Sequence, residues 1–169
     1  LQCTKSTYFV CLDADSYIEK SALHNMLPYI EKDENVASVL PFIRIPFSHG
    51  LTYRLQYVEY LVNFFLKKIL GTIDSIHVTP GPFGLYRTAI LKKLGGFDEK
   101  NLTEDLEIAL RLQKNNYKII QLLSTNVYTI PPSTLKSWYK QRNRWYKGTL
   151  FNMYKYKDLI FNRKYGEFG

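Results

Sequence analysis

Short β-favouring runs alternate with segments of helical period along this chain of 169 residues, and no other property of the sequence restricts the fold as much. Residues 7–12 and 35–41 are predicted strands, the second of them stopped by Pro41. Between them, apolar residues recur every four positions over residues 18–31, which predicts a helix. This alternation favours a layered α/β domain that binds its ligands at the carboxyl ends of the strands.

The remaining segments continue the same alternation. Residues from Leu51 to about Leu70 are strongly apolar with a helical period, which predicts a long amphipathic helix. The stretch 76–86 contains Pro80, Gly81 and Pro82, so it should include an irregular loop. Five further elements are predicted: a short helix over 88–94, a helix capped by Thr103 that runs to about Asn115, strands at 117–122 and 125–130, and a final helix from Ser133 or Thr134 through Trp145.

The net charge of +8 lies almost entirely in the last part of the chain. Residues 1–135 carry 14 basic and 13 acidic side chains, whereas residues 136–169 carry 9 and 2. Aromatic residues are interleaved with these cations, a composition suited to anionic lipid, phosphates or nucleic acid. A solvated basic helix has the same composition, so charge alone leaves both interpretations open.

Cysteine, histidine and apolar residues do not indicate a zinc site or a membrane span. Cys3 and Cys11 lack the spacing of a zinc knuckle or redox pair, which favours a reducing, cytoplasmic setting. His24, His49 and His77 are dispersed and are expected to be ordinary surface or packing residues. No run reaches the roughly 18 apolar residues that cross a bilayer, and the N-terminus has no secretory pattern.

Asp13 and Asp15 directly follow the first predicted strand. Two aspartates one residue apart can turn their oxygens toward a common hard cation, which in turn neutralises a diphosphate. A polar turn without any function has the same sequence, so this pair is a weak signal by itself.

Glu104 and Asp105 lie where the helix after Thr103 is predicted to begin. Acidic residues stabilise the positive end of a helix and need no other role there. The functional alternative is that one carboxylate accepts a proton from an attacking hydroxyl group.

Gln141, Arg144 and Trp145 bring an amide, a guanidinium and an indole together on the final helix. An arginine can hold a diphosphate with two hydrogen bonds, and an indole face can stack on a sugar ring. An amphipathic helix with Trp145 in the core and Arg144 in solvent explains these residues equally well when they are taken alone.

Taken together, five motifs in order closely resemble the inverting glycosyltransferases of the cellulose, chitin, hyaluronan and poly-N-acetylglucosamine synthase group. They are DAD at 13–15, TPGPFGLYR at 79–87, GGFDE at 95–99, TED at 103–105 and QRNRW at 141–145. The resemblance covers roughly residues 7–150. It implies a GT-A fold, a Rossmann-like α/β nucleotide-sugar domain, of which this chain looks like the second half.

The resemblance also implies roles for the carboxylates. Asp13 and Asp15 match the motif that holds the donor diphosphate and its divalent cation, Mg²⁺ or Mn²⁺. Of the two, Asp15 is expected to be the direct ligand of the cation. Asp105 matches the catalytic base. Glu104, its neighbour in the motif, is assigned a supporting role on the acceptor side.

The other two matched segments imply a donor and an acceptor pocket. Gln141 and Arg144 of the Q-x-x-R-W signature are expected to bind the donor diphosphate, and Trp145 to frame the acceptor sugar. Phe83 and Gly84 match a region that lines the acceptor and donor pocket.

The implied function is transfer of a sugar, with inversion, from a nucleotide diphosphate donor to a growing polysaccharide. The expected donor is a UDP-sugar and the expected acceptor a glycan, with no role for nucleic acid. The basic aromatic segment 134–169 is expected to lie along a membrane surface, with the catalytic domain on the cytoplasmic side. Because the family's earlier strands are absent, we expect the isolated chain to be inactive.

Two alternatives remain open from the sequence. One is a non-processive glycosyltransferase that acts on a lipid or protein acceptor with the same fold. The other is a non-catalytic module that binds a membrane or nucleic acid through the basic segment. Such a module has no need of Asp15 and Asp105, and this separates it from an enzyme.

Overall fold

A mixed five-stranded sheet forms the centre of the computed structural model, which describes residues 3–46, 50–159, 162, 164 and 165. Within these residues the strands are β1 (Tyr8–Leu12), β2 (Ser16–Ile18), β3 (Val36–Arg44), β4 (Phe83–Arg87) and β5 (Lys118–Thr129). The helices are α1 (Ala22–Glu31), α2 (Leu51–Thr72), α3 (Thr88–Lys93), α4 (Glu104–Lys114) and α5 (Leu135–Lys155), followed by one 3-10 turn at Lys157–Leu159.

The order of the strands brings three carboxyl ends to one edge of the sheet. The order is β1-β4-β3-β5-β2, and β3 and β5 are parallel. Strand β4 is antiparallel to both β1 and β3, so β1 runs in the same direction as β3 and β5. Ligands of open α/β sheets gather at such an edge. The predicted layered α/β class is confirmed.

Helices cover both faces of the sheet because its strands are apolar on both sides. On one face, Met26 and Ile30 of α1 pack against Val39, Phe83 and Leu85 of the sheet. The opposite face is covered by α3 and α4, and its buried cluster comprises Ala37, Leu40, Ile76, Tyr86, Ile90, Leu91, Ile108, Ala109, Leu112 and Ile119. The predicted sheet and helices thus form three layers.

Strand β3 does not stop at Pro41, as predicted, but continues to Arg44. Proline has no N–H group to donate to a neighbouring strand. The register between β3 and β5 shifts between Leu40 and Phe42, which places the proline at an irregularity in the ladder. The side-chain amide of Gln121 donates to the Pro41 carbonyl oxygen at 2.6 Å. A bulge and a side-chain donor therefore keep the proline inside the strand.

The same register shift explains why β5 is one strand and not the two that were predicted. Leu40 pairs with Gln121, and Phe42 pairs with Asn126, so four residues of β5 intervene where β3 has one. The strand bends there and continues to Thr129. A long bulge in one strand has the same sequence pattern as two strands joined by a turn.

The predicted helix over 18–31 begins four residues later than expected. Residues Ser16–Ile18 form β2, which pairs antiparallel with β5. Helix α1 begins at Ala22, and its Ala22, Met26 and Ile30 side chains are fully buried, as the four-residue period predicts. Ile18 fits the period but packs against the sheet cluster from its strand.

Three local signals are confirmed. Thr134 caps α5 in a reciprocal arrangement with Ser137. Gly95 and Gly96 have positive φ angles of 87° and 78° and end the segment after α3. The prolines before β4 lie in irregular backbone.

Part of the sequence interpretation falls outside the described residues. His49 and several residues at the end of the basic aromatic segment belong to that part of the chain. Among the helices that are described, none is both long enough and apolar enough to cross a membrane.

Candidate active site

A cleft of about 610 Å³ lies at the edge of the sheet where β1, β3 and β5 end. Its walls are α2, the first turn of α4, the middle of α5 and the Pro80–Gly81–Pro82 segment. Seven predicted site residues, from three distant parts of the sequence, line it: Asp13, Asp15, Glu104, Asp105, Gln141, Arg144 and Trp145. The fold therefore brings together residues that are up to 132 positions apart.

Asp13 is held at the end of β1 by the proline-rich segment. Its backbone N–H donates to the Pro82 carbonyl oxygen at 3.3 Å, and its own carbonyl accepts from the Ser16 N–H at 3.0 Å. A Cβ atom on Gly81 would lie 3.2 Å from a carboxylate oxygen of Asp13. Glycine at this position therefore lets the backbone approach the carboxylate closely.

The cleft concentrates negative charge around Asp13. Desolvation, followed by the charges of Asp15 and Glu104, raises the pKa of the Asp13 carboxyl, and Arg144 opposes this rise. Accumulated negative charge of this kind favours a bound cation.

The aspartates fit a divalent cation that is shared with a substrate. Among the described residues, no group of three or more histidine, cysteine or acidic side chains is arranged to hold a metal ion. Mg²⁺ and similar hard cations are commonly held by one or two carboxylates, with phosphate oxygens and water completing the shell. Asp13 and Asp15 supply carboxylates of that number and type.

Asp105 lies in the first turn of α4 and is held through its backbone. Its carbonyl oxygen accepts hydrogen bonds from the Thr79 N–H at 3.1 Å and the Thr79 hydroxyl at 2.9 Å. The Leu106 N–H donates to its carboxylate at 2.8 Å. Burial raises the pKa of the Asp105 carboxyl, and Glu104 adds to this, whereas the Leu106 N–H, Lys67 and Arg144 oppose it. A raised pKa suits a general base.

Helix α5 presents Arg144 and Trp145 to the same cleft. One guanidinium N–H of Arg144 donates to the Leu102 carbonyl oxygen at 2.8 Å. The arginine side chain is otherwise exposed, so donors remain for a ligand. Trp145 is half-buried.

Close contact between α5 and the loop before α4 fixes the distance between these two parts of the site. A Cβ atom on Gly148 would lie 2.3 Å from the Thr103 hydroxyl oxygen, so only glycine permits this approach. The Asn152 amide donates to the Thr103 hydroxyl at 3.0 Å and exchanges hydrogen bonds with Asn101 at 3.1 and 2.8 Å.

Thr103 therefore does not act as the predicted helix cap. It occupies the N-cap position of α4, but its side chain makes no capping hydrogen bond. Its hydroxyl accepts from Asn152 of α5 instead, so the threonine joins two segments of the site. The sequence analysis did not identify Gly148 or Asn152.

Helix α2 contributes a wall that the sequence analysis did not assign to the site. Its Tyr60, Asn63, Phe64 and Lys67 line the cleft together with His77. Desolvation at the cleft lowers the pKa of Lys67 to about 8, and Asp105 opposes this shift. Desolvation, and then the charge of Lys67, lower the pKa of His77. His77, predicted to be an ordinary surface or packing residue, thus faces the cleft.

Phe83 and Gly84 do not lie where the sequence analysis expected them. Phe83 is fully buried in the cluster under α1, and neither residue lines the cleft. Gly84 faces the Tyr86 ring, which a Cβ atom would approach to 2.7 Å. The preceding Pro80–Gly81–Pro82 segment borders the cleft instead, so positions 83 and 84 shape the site only through the core.

A family model described as glycosyl transferase family group 2 matches residues 8–166, nearly the whole chain. The chain belongs to glycosyl transferase family group 2. The family expected from the five motifs is confirmed.

Two curated relatives of this family-2 chain are named for glycosyl transfer. One is poly-β-1,6-N-acetyl-D-glucosamine synthase of Staphylococcus epidermidis, which is 28% identical over 142 residues; the match covers 83% of this chain and 34% of the relative. The other is the probable glycosyltransferase YdaM of Bacillus subtilis, which is 28% identical over 159 residues; the match covers 92% of this chain and 38% of the relative. The chain spans somewhat more than a third of the length of these relatives.

Similarity to two solved glycosyltransferase structures shows that this chain has the GT-A fold. The mannosyltransferase PcManGT of Pyrobaculum calidifontis, solved with GDP-Man and Mn²⁺, matches with a TM-score of 0.64 at 17% identity over 91% of this chain and 40% of that one. GalNAc-T7, solved with UDP, GalNAc and Mn²⁺, matches with a TM-score of 0.51 at 15% identity. This match covers 74% of this chain and 28% of the GalNAc-T7 chain.

Proposed function

We propose that this chain forms the catalytic part of an inverting glycosyltransferase that moves a sugar from a nucleotide diphosphate donor to a growing polysaccharide. One observation carries the proposal: the aspartate pair, Asp105 and the Gln141–Trp145 segment meet in one cleft. A carboxylate base, a cation site and an arginine are the groups that such a transfer needs. The name of the staphylococcal relative supports a glycan acceptor.

Asp105 would accept the proton of the acceptor hydroxyl. As that proton leaves, the acceptor oxygen forms a bond to the anomeric carbon of the donor sugar, and the bond from this carbon to the diphosphate breaks. The diphosphate departs with the electron pair, and one displacement inverts the anomeric carbon. Burial, which raises the pKa of Asp105, makes the carboxylate a stronger base than an exposed aspartate.

The leaving diphosphate would be stabilised by positive charge in the same cleft. Asp13 and Asp15 would hold a divalent cation, Mg²⁺ or Mn²⁺, that supplies positive charge to the diphosphate. Arg144 would donate to the diphosphate with the guanidinium nitrogens that Leu102 does not occupy. Because negative charge grows on the leaving group, these contacts would stabilise the transition state more than the ground state.

Trp145 and Glu104 would border the acceptor. Trp145 is half-buried at the cleft and can offer part of its ring to a sugar, and Glu104 is exposed beside Asp105. The basic, aromatic α5 supports an orientation along an anionic membrane surface on the cytoplasmic side. We propose a UDP-sugar as the donor, in line with the N-acetylglucosamine polymer named for the relative.

The test is sugar transfer by the full-length protein, with a panel of UDP- and GDP-sugars and either Mg²⁺ or Mn²⁺. We expect cation-dependent turnover of one donor. Asp105→Asn should lower it about 100- to 10,000-fold, the range that general base catalysis contributes. Asp74→Asn is the matched control, because Asp74 is exposed and does not line the cleft.

Two outcomes would contradict the proposal. Turnover that survives Asp105→Asn would remove the assigned base. No turnover of any donor, together with salt-sensitive binding to nucleic acid or anionic lipid, would favour the non-catalytic module.

A further inference from the structure

Arg142 is a second arginine in the QRNRW segment, and it differs from Arg144 in its surroundings. The Arg142 side chain is 4% exposed, whereas Arg144 is exposed at the cleft. A buried guanidinium is stable only when its donors are paired. Arg142 therefore has partners that the sequence does not show.

Those partners are a carboxylate of α2 and the amide beside it. The Arg142 Nε–H donates to the Glu59 Oε1 atom at 2.6 Å, and an Nη2–H donates to the second carboxylate oxygen of Glu59. The Nη1 group donates to the side-chain oxygen of Gln141. The pair with Glu59 is bidentate, which fixes its geometry as well as its charge.

Both tryptophans of the chain lie against the same guanidinium. The Arg142 Cζ atom is 4.2 Å from the centre of the Trp145 ring and 5.5 Å from that of Trp138. The Trp138 indole N–H points to Glu59, with 3.5 Å between nitrogen and oxygen. One face of Trp145 is thus in contact with a cation, and this fixes the plane that the ring presents to the cleft.

The contact with Arg142 also determines which end of the Gln141 amide is free for a ligand. Arginine has only donors, so the glutamine atom beside it must be the oxygen. The amide nitrogen is then the group that remains to donate to an anion in the cleft. A donor at this position suits a diphosphate, whereas a carbonyl oxygen would repel one.

We propose that Arg142, paired with Glu59, is a positioning residue that fixes the Gln141 amide as a donor to the diphosphate and fixes the plane of the Trp145 ring. This inference rests on the proposed function, because it assumes that the diphosphate binds at Gln141. The same pair connects α5 to α2, so a stability effect alone would not distinguish positioning from a purely structural role.

A charge exchange between the two residues makes that distinction. The double variant Glu59→Arg/Arg142→Glu restores an ion pair between the helices. Its new carboxylate beside Gln141 can only accept, so the amide must turn its nitrogen toward position 142 and its oxygen toward the cleft. We therefore expect thermal stability to recover in the double variant relative to either single variant, while donor binding does not.

The measurements are thermal unfolding, calorimetric binding of UDP with Mn²⁺, and transfer kinetics, all on the full-length protein. The affinity for UDP should fall about 10- to 100-fold in the double variant, the loss expected for one hydrogen bond to a charged group. The donor KM should rise more than kcat falls. Arg54→Met is the control on α2, because Arg54 is exposed and lies outside the cleft.

Each outcome separates this inference from the function on which it rests. A double variant that regains both stability and UDP affinity would show that the pair is purely structural and would overturn the inference. If the wild type transfers sugar and Asp105→Asn does not, the proposed function stands whatever position 142 shows. A wild type that neither binds UDP nor transfers sugar would overturn both.

Discussion

Helix α4 buries seven of its eleven residues and helix α2 buries one of its twenty-two, although both helices border the same cleft. Helix α4 packs between the sheet and α5, where Glu107 accepts from Arg111, Lys155 and Tyr156. Helix α2 leaves eight large apolar side chains at least half exposed, namely Leu51, Leu55, Tyr57, Val58, Val62, Phe65, Leu66 and Ile69.

This difference in packing indicates different roles for the two walls of the cleft. Asp105, on α4, belongs to a wall that close packing keeps in one position, as a base within hydrogen-bonding distance of its substrate requires. Polar contacts join the α2 wall to α5 and to the loop before it, from Glu59 to Arg142 and from Gln56 to the Pro132 carbonyl. A wall that buries few of its side chains opens at lower free-energy cost than a closely packed one. We therefore expect α4 to set the chemistry and α2 to adapt to the substrate.

The largest stability difference should come from removing the same side chain from each helix. Ile108 of α4 is fully buried, and Ile69 of α2 is 63% exposed. Ile108→Ala should lower the free energy of unfolding by about 2–5 kcal/mol because it leaves a cavity, whereas Ile69→Ala should change it by about 0.5 kcal/mol or less. Urea unfolding of the full-length protein measures both. Equal losses would mean that α2 is covered by a partner, and the comparison would fail.

Two glycines extend the comparison to backbone contacts. A Cβ atom at Gly148 would lie 2.3 Å from Thr103 in the loop before α4, whereas one at Gly71 of α2 would meet the end of the Ile76 side chain at 3.3 Å. Gly148→Ala should destabilise by about 1–3 kcal/mol through overpacking and should also lower transfer. Gly71→Ala should be neutral or should stabilise by up to about 1 kcal/mol, because alanine favours a helix.

Thermal unfolding distinguishes these two variants, and transfer kinetics show whether the approach of α5 to Thr103 matters for the site. Gly148→Ala with unchanged stability and turnover would mean that α5 can move away without cost. That result would remove the close packing on which the contrast with α2 depends.

A smaller effect concerns the charge on Asp105. Burial raises its pKa, so the native state binds more protons than the unfolded state from about pH 4 up to the raised value. Stability is therefore highest below this interval and falls as the pH rises through it, by at most about 1.4 kcal/mol per pH unit for one proton. Asp105→Asn removes this penalty, so the variant should be more stable than wild type at neutral pH.

Unfolding curves at several pH values check this. The gain in Asp105→Asn should shrink as the pH falls toward about 4, because the raised pKa lets the native wild-type carboxyl take up its proton before the unfolded one does. A variant less stable than wild type at neutral pH would show that the charged carboxylate stabilises the fold, contrary to its burial on α4.

The sequence predicted seven of the residues that line the cleft but little of what holds them together. Short-range patterns identified the strand before Asp13, the helix that begins beside Asp105 and the Thr134 cap, because each depends on neighbouring residues. The motif resemblance assigned roles to Gln141, Arg144 and Trp145, but it assigned none to the α2 residues that also line the cleft. The partner of Arg142, by contrast, lies 83 positions away, and no local pattern indicates it.

The errors in the sequence analysis have a similar cause. Pro41 stays inside β3 because Gln121, 80 positions later, donates to its carbonyl oxygen. Thr103 does not cap α4 because its hydroxyl accepts a hydrogen bond from Asn152 of α5 instead. Phe83 was assigned to the pocket with its motif, but it packs under α1 with Met26 and Ile30, which lie far earlier in the sequence. Contacts distant in sequence override each local rule.

The smallest predicted effect tests whether the α2 wall acts on the α4 wall electrostatically. Lys67 of α2 lowers the pKa of Asp105, and with its own pKa at about 8 it is charged throughout the acidic range. Asp105 must be ionised to accept a proton, so the acid limb of the pH profile of kcat/KM follows its pKa. Lys67→Met should therefore move this limb to higher pH, by about one unit or less.

Lys68→Met is the matched control, because Lys68 is exposed and does not line the cleft. Its acid limb should stay in place. If the limb moves in neither variant, the charge of Lys67 does not change the pKa of Asp105, and α2 contributes to the site through shape alone. If it moves equally in both, the shift reflects the net charge of the protein, and a specific electrostatic effect of Lys67 on Asp105 is excluded. Movement in Lys67→Met alone would show that the loosely packed helix adjusts the base carried by the tightly packed one.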